Sequence, residues 1–370
     1  MKFLETMNKY QMVAMATVIF LILIPLTVMV FNFSGKNEAQ RAKIGLIILG
    51  DIKINGWNSA HYNGIKSACE KFGLELMIRE KVKENSGQCP LAIKSLADNG
   101  AGMIFLASYS YSREVQDLVR EYPNIAFGTN SAEVHGRNLT SYFVRMYQAR
   151  YLSGALAGMM TKTNIIGYVA AMSNTEVNRG INAFTLGVLR TNPQAKVVVM
   201  WTNSWQDEEI EAKHAEKLIK EAGADILTYH QDEDATAQVA EKYGVDFIAY
   251  NEILSGYSDH YLTSVISRWD LYYSDIIQRY LKGELNSVNN YWLGIDRGAL
   301  MLSEYSPRVT SEMITELDSL KQELINDKLI FSGKIYDNTG QIRCEDGEAI
   351  SDDTLLEDIN WLVKGVEVLE

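Results

Sequence analysis

From Lys43 onward the chain alternates between two hydrophobic periodicities. Short runs rich in β-branched residues read as strands buried on both faces: KIGLIIL from Lys43, LELMIR from Leu74, MIFLA from Met103, IAFGT from Ile125, IIGYVAA from Ile165, KVVVMWT from Lys196, DILTYH from Asp225 and DFIAY from Asp246. Between them, amphipathic stretches starting near Ser59, Pro90, Arg113, Gln148, Asn178, Asp207 and Ala235 read as helices. Strand–helix alternation of this kind predicts an α/β fold, a mostly parallel sheet covered on both faces. The series begins again near Tyr147, which predicts two similar lobes and not one long sheet.

The N-terminal segment follows a different pattern. Residues 12–31, MVAMATVIFLILIPLTVMVF, carry no charge, and about 20 residues at roughly 1.5 Å each reach across a hydrocarbon core of about 30 Å. The expected layout is a short tail over 1–11, a transmembrane anchor over 12–33 and a polar linker over 34–42. A cleaved secretory signal competes with the anchor, but its apolar region usually runs only about 7 to 15 residues and ends at small residues. Flanking charge does not orient the segment, since Lys2 and Lys9 face Lys36, Arg41 and Lys43.

Charge removes one class of partner. With 35 Lys+Arg against 47 Asp+Glu the formal net charge is −12, the wrong sign for a protein held by nucleic-acid phosphates. Three cysteines, Cys69, Cys89 and Cys344, are too few for a disulfide framework or a zinc site. Cys69 closes one helix and Cys89 opens the next, on opposite faces of the sheet, so no bond is expected between them. Dinucleotide, P-loop, nucleophile-elbow and zinc-protease motifs are absent from the sequence. His230 with Asp232 and Asp234 (HQDED) reads as a solvated loop before it reads as a metal site, and no cofactor is implied.

In open α/β sheets ligands bind outside the carboxyl ends of the strands. The residues expected there are Trp57 and Asn58 after the first strand, Ser108 and Tyr109 after the third, and Asn130 after the fourth. In the second half they are Glu176, Asn178, Arg179, Trp205, Asp207, His230, Asn251 and Glu252. Any single Asn, Ser or Asp here could serve as a helix cap instead. Two tryptophans, one per half and each just past a strand, are harder to explain that way.

Four stretches carry a family resemblance: GWNSAHYNGIKSACEKFG from Gly56, RYLSGALAGMMTKTNIIGYVAAM from Arg150, EVNRGINAFTLGVLRTNPQAKV from Glu176, and the closing LIFSGKIYDNTGQIRCEDGEAISDDTLLEDINWLVKGV. They are similar to the basic membrane protein (Bmp) family of extracytoplasmic solute-binding proteins, whose members bind purine nucleosides for ABC transporters. The resemblance implies the type I periplasmic binding protein fold, two Rossmann-like lobes joined by three crossings. The lobes are then expected over 43–148 plus 265–288 and over 149–264 plus 289–370.

The resemblance also implies that Trp57 stacks on a base and that Trp205 opposes it from the second lobe. The pattern departs at Ile54 and Asn251, where the family carries Asp, and at Ser267 in LTSVISRW, where it carries Lys. The groups expected to grip a ribose are therefore missing, which leaves a nucleobase-like ligand or a different set of polar contacts. The leading expectation is a membrane-anchored protein, outside the cytoplasm, that traps a planar, purine-like solute by hinge closure for an ABC permease. The alternatives are a sensor of the same fold signalling to a membrane partner such as a kinase or cyclase, and, remotely, an enzyme using His61 or His230 beside Glu176.

Overall fold

The structure, a computed structural model, describes residues 42–54, 56–130, 138–285, 291–326 and 328–370. The expected tail and anchor over 1–33, and all of the linker but Ala42, lie outside the described residues. Among those described, no helix is long and apolar enough to cross a membrane.

The first β/α series runs β1 (Lys43–Ile47), α1 (Trp57–Phe72), β2 (Glu75–Arg79), α2 (Gln88–Asp98), β3 (Ala101–Leu106), α3 (Tyr111–Val115), β4 (Ala126–Asn130) and β5 (Leu139–Val144). The second runs α4 (Met146–Met160), β6 (Ile165–Ala170), α5 (Thr175–Thr191), β7 (Lys196–Trp201), α6 (Glu208–Lys220), β8 (Ile226–His230), α7 (Ala235–Tyr243), β9 (Asp246–Tyr250) and β10 (Tyr261–Ser267). Then come α8 (Trp269–Lys282), β11 (Tyr291–Leu293), β12 (Leu300–Leu302) and α9 (Ser311–Ile325). The chain closes with β13 (Ile335–Tyr336), β14 (Ile342–Cys344), α10 (Asp352–Glu357) and β15 (Val366–Val368).

These strands build two large sheets, ordered β11-β5-β4-β3-β1-β2 and β12-β10-β9-β8-β6-β7-β15. The central order is the same in both: the first strand of each series lies between the second and the third. The strand order therefore reverses between β1 and β3 in one sheet and between β6 and β8 in the other, the positions where a crevice opens at the carboxyl ends.

Side-chain alternation covers both faces of the first sheet. Ile44, Leu46, Met103 and Phe105 join one apolar cluster, while Ile47, Ile104 and Leu106 join the other. Cys69 belongs to the first cluster and Cys89 to the second, and both thiols are free and buried.

The lobe crossings follow from sheet membership. β10 lies wholly in the second sheet, α8 packs on α1 of the first lobe, β11 pairs with β5 in the first sheet, and β12 pairs with β10 in the second. The chain thus crosses near Arg145, Arg268 and Gly294, a few residues from the expected boundaries at 148/149, 264/265 and 288/289. The crossings run side by side: Arg145 N–H donates to the Leu293 carbonyl at 2.8 Å, and Ile295 N–H donates to Gln148 Oε1 at 2.8 Å. Arg145 also stacks 4.1 Å over the Trp292 ring and forms a forked ion pair with Asp352.

The closing sequence motif has a structural task. Its backbone docks on α5, where Asn178 Nδ2 donates to the Ile359 carbonyl (3.0 Å) and Asn182 Nδ2 to that of Trp361 (2.9 Å). In the other direction Val363 N–H donates to Asn182 Oδ1 (2.8 Å), and β15 then adds to the sheet beside β7.

The Gly-x-x-x-Gly spacing in α4 permits close packing, as its position outside the apolar N-terminal segment suggests. A Cβ at Gly154 would lie 1.9 Å from the Phe184 carbonyl oxygen of α5. Gly154→Ala is therefore expected to force the two helices apart and cost about 1–3 kcal/mol, as overpacking in cores does. Urea unfolding of the variant beside the parent would read this as a lower midpoint.

Candidate functional site

The carboxyl ends of the two sheets meet over a cavity of about 320 Å³, lined by Trp57, Ser108, Tyr109, Asn130, Glu176, Trp205, His230, Asp232 and Tyr250. Trp57, Ser108, Tyr109 and Asn130 come from the ends of β1, β3 and β4. The other five follow or end β6, β7, β8 and β9.

Trp57 opens α1. Its indole N–H donates to the Ala107 carbonyl at 2.9 Å, which ties the ring to the end of β3. Behind it stands an aromatic column: His61 lies 4.3 Å away, tilted by 56°, and Trp269 stacks on His61 at 4.0 Å. His61 is itself fully buried, with Nδ1 against the Tyr273 hydroxyl, so it supports Trp57 and does not reach the cavity. Burial holds its pKa well below the usual imidazole range, which keeps the ring neutral.

Trp205 enters from the opposite lobe on the loop after β7. That loop is fixed by Asp232 N–H donating to the Trp205 carbonyl at 3.0 Å, and the ring tilts against His230 at 6.1 Å. His230 packs on Tyr250 at 4.7 Å, and its Nε2 stands 3.8 Å from Glu176 Oε1, beyond hydrogen-bond reach. Three buried polar atoms on the lining residues have no partner within the protein: Trp205 Nε1, His230 Nδ1 and Asn130 Oδ1. Buried polar groups are almost always satisfied, so these three are donors and acceptors with hydrogen-bonding capacity to spare.

The cavity is acidic. Burial pushes the Glu176 carboxyl up to about 7, against the pull of Arg179. Burial raises Asp232 well above the carboxylate range, and the charges of Glu84 and Glu233 add to it. Glu84 belongs to the first lobe, where it accepts from Ser108 Oγ at 2.7 Å and from Ser110 N–H at 2.6 Å. His230 is held well below its usual range by burial, with Arg150 and Arg179 adding to the effect, and is neutral. Among the described residues lining the cavity there is no Lys or Arg.

Six expected ligand residues stand elsewhere, each for a local reason. Asn58 Oδ1 accepts from Gly50 N–H (3.0 Å) and shapes the loop after β1. Asp207 caps α6 by accepting from Ile210 N–H (3.0 Å). Asn178 and Arg179 face the closing motif, where Arg179 donates to the Leu355 carbonyl and lies over Trp292. Asn251 and Glu252 line a separate groove with Ser267 and Trp269, on the other side of α1.

Sequence reasoning missed Asp232, Tyr250 and Glu84. Tyr250 is the last residue of β9, one position before the residues chosen. Asp232 enters the sequence pattern only through HQDED as a metal motif, whose third member, Asp234, accepts instead from the Tyr257 hydroxyl at 2.9 Å.

Two lobes of equal strand order, joined by three adjacent crossings and meeting over a lined gap, define a bilobal solute-binding protein. The chain belongs to the Bmp family, the PnrA-like ABC transporter substrate-binding proteins, whose family model matches residues 41–346. It is 32% identical over 352 residues to a purine-binding protein of Brucella abortus, covering 92% of this chain and 97% of that one. A putative ABC transporter glucose-binding protein of Haloferax volcanii is 29% identical over 336 residues, covering 90% and 82%. The crystal structure of an ABC transporter solute-binding protein from Aeropyrum pernix shares the fold, with a TM-score of 0.68 at 15% identity over 85% of this chain and 95% of that one.

The raised Glu176 carboxyl links stability to pH. Between its ordinary 4.5 and about 7 the folded protein keeps a proton that the unfolded chain has released, so Glu176 lowers stability as pH rises through that window. Glu176→Gln should therefore stabilise the protein by about 2–3 kcal/mol above pH 7 and change little near pH 4.5. Melting curves of both proteins across that range would show the two diverging upward in pH.

Proposed function

We propose that this substrate-binding protein captures a purine-type nucleobase between its lobes and presents it to an ABC permease. The observation that carries this reading is the pair of indoles, Trp57 from one lobe and Trp205 from the other, on the walls of one small cavity. A purine offers two flat apolar faces and a rim of N–H donors and ring nitrogens. Aromatic walls suit the faces, and stacking adds about 0.5–1.5 kcal/mol per ring pair beyond area burial. Two carboxyls, an indole N–H and an amide oxygen suit the rim.

The lining also argues against phosphorylated or ribose-bearing forms. A phosphate would meet Glu176 and Asp232 with no cation among the lining residues. The positions where the family resemblance expects ribose-gripping charges hold Ile54, Asn251 and Ser267, none of which lines the cavity. The 32% identity to a purine-binding protein supports the base, whereas the Haloferax relative names glucose as the competitor.

Calorimetry with adenine, hypoxanthine, their nucleosides and glucose decides between them. A free base should bind, and at about a hundred times its dissociation constant should stabilise the fold by about 2.7 kcal/mol. Trp57→Ala with Trp205→Ala should abolish that heat while circular dichroism stays unchanged. Binding of glucose alone, or undiminished base affinity in the double variant, would overturn the reading.

The apolar segment 12–31 completes the proposal by tethering the lobes to the extracytoplasmic face of the cell membrane. Removal of residues 1–33 should move the protein from the membrane to the soluble fraction. Retention in the membrane fraction would argue against the tether.

A further inference from the structure

Glu252 stands outside the cavity, yet it joins the lobes. It follows β9 of the second lobe, and its Oε2 accepts from Gly56 N–H at 2.6 Å and from Ser59 Oγ at 2.7 Å, both in the first. Those groups form the start of α1, whose N-cap residue Gly56 brings no side chain of its own. A carboxylate placed there satisfies an orphan N–H and sits at the positive end of the helix dipole. One lobe thus caps a helix of the other, and the first residue of that helix is Trp57.

The surrounding backbone is arranged for this contact. Asn251 adopts φ +67°, a left-handed turn that Asn tolerates better than most residues, directly between the end of β9 and Glu252. Across the gap, Gly56 has φ +128°, and a Cβ there would lie 1.7 Å from the Asp232 carbonyl oxygen of the second lobe. The same short loop therefore meets Asp232 by bare backbone and Glu252 by two hydrogen bonds. Both contacts therefore join the two lobes at the start of α1.

We infer that Glu252 is an interlobe latch, a positioning residue that sets how long a ligand stays by holding α1 and Trp57 against the second lobe, without touching the ligand. The inference rests on the reading of the gap as a ligand trap. Hydrogen bonds to a charged acceptor are the stronger kind, and a contact made only between closed lobes raises the closed fraction and with it the apparent affinity.

The test uses the full chain, with hypoxanthine as probe, in the parent and in Glu252→Ala, Glu252→Gln and Ser59→Ala. Small-angle X-ray scattering without added ligand reads closure alone, and stopped-flow tryptophan fluorescence reads the rates. Glu252→Ala should enlarge the radius of gyration and speed dissociation about tenfold or more, with association changed less than about threefold. Glu252→Gln keeps an acceptor oxygen and should recover part of the loss, and Ser59→Ala, which removes one of the two bonds, should fall between.

Unchanged scattering in Glu252→Ala, or a loss of affinity carried by association alone, would overturn the latch. If hypoxanthine fails to bind the parent, the purine reading falls, and scattering still decides the latch: expansion in Glu252→Ala upholds it and identity with the parent refutes it.

Discussion

Two mostly parallel sheets point their carboxyl ends at one another because three chain crossings, near Arg145, Arg268 and Gly294, run side by side and are bonded to each other. A parallel strand delivers its next residue outward at its carboxyl end, so every βα turn of both series empties into the same gap. The order reversals at β1/β3 and β6/β8 open the floor of that gap, and residues following those four strands supply Trp57, Ser108, Tyr109, Glu176, His230 and Asp232. The site's composition is a consequence of where the strands stop.

Charge is distributed so that the gap stays acidic while cations stay behind it. Arg150 is fully buried, lies 4.0 Å over the Tyr250 ring and donates to the Tyr229 carbonyl at 2.8 Å. Arg179 lies over Trp292 and Phe143. Both are committed to aromatic faces and backbone carbonyls, where guanidinium groups stack and fork well. Their fields still reach forward: both lower the proton affinity of His230, and Arg179 opposes the rise at Glu176. The cavity therefore presents a neutral imidazole and carboxyls of high proton affinity.

The eight strand runs predicted from hydrophobic patterning all form, because a short run dense in apolar residues and bounded by turn signals leaves few alternatives. Patterning does not predict β5 and β10, since LTSYFV and YLTSVIS mix several hydroxyls with apolar residues and their pattern is weaker. Seven of the thirteen residues expected at the strand ends do line the cavity. The other six fail for a shared reason: a short polar residue past a strand has a backbone partner available nearby, and only the third dimension reveals that partner. Asn178 and Arg179 are the clearest cases. Their partners lie about 180 residues away in the closing motif, at |i−j| of 181 and 176, a separation that no local pattern encodes.

Closure sets conflicting demands on the gap. In the structure the charge of Glu84 of one lobe already acts on Asp232 and Glu176 of the other, and in the proposed hinge closure like charges in a desolvated space would disfavour the approach. Something must offset that repulsion, either protons taken up by the carboxyls or hydrogen-bond donors supplied between them. The nucleobase proposed above would do the second while its faces cover the indoles, relieving the electrostatic cost and filling the apolar walls together. Glu252 contributes to the same balance from outside the cavity: its negative charge is spent on the N-terminus of α1, away from the other carboxyls. A residue of the same charge placed one turn nearer the cavity would oppose closure, and where it stands it favours it.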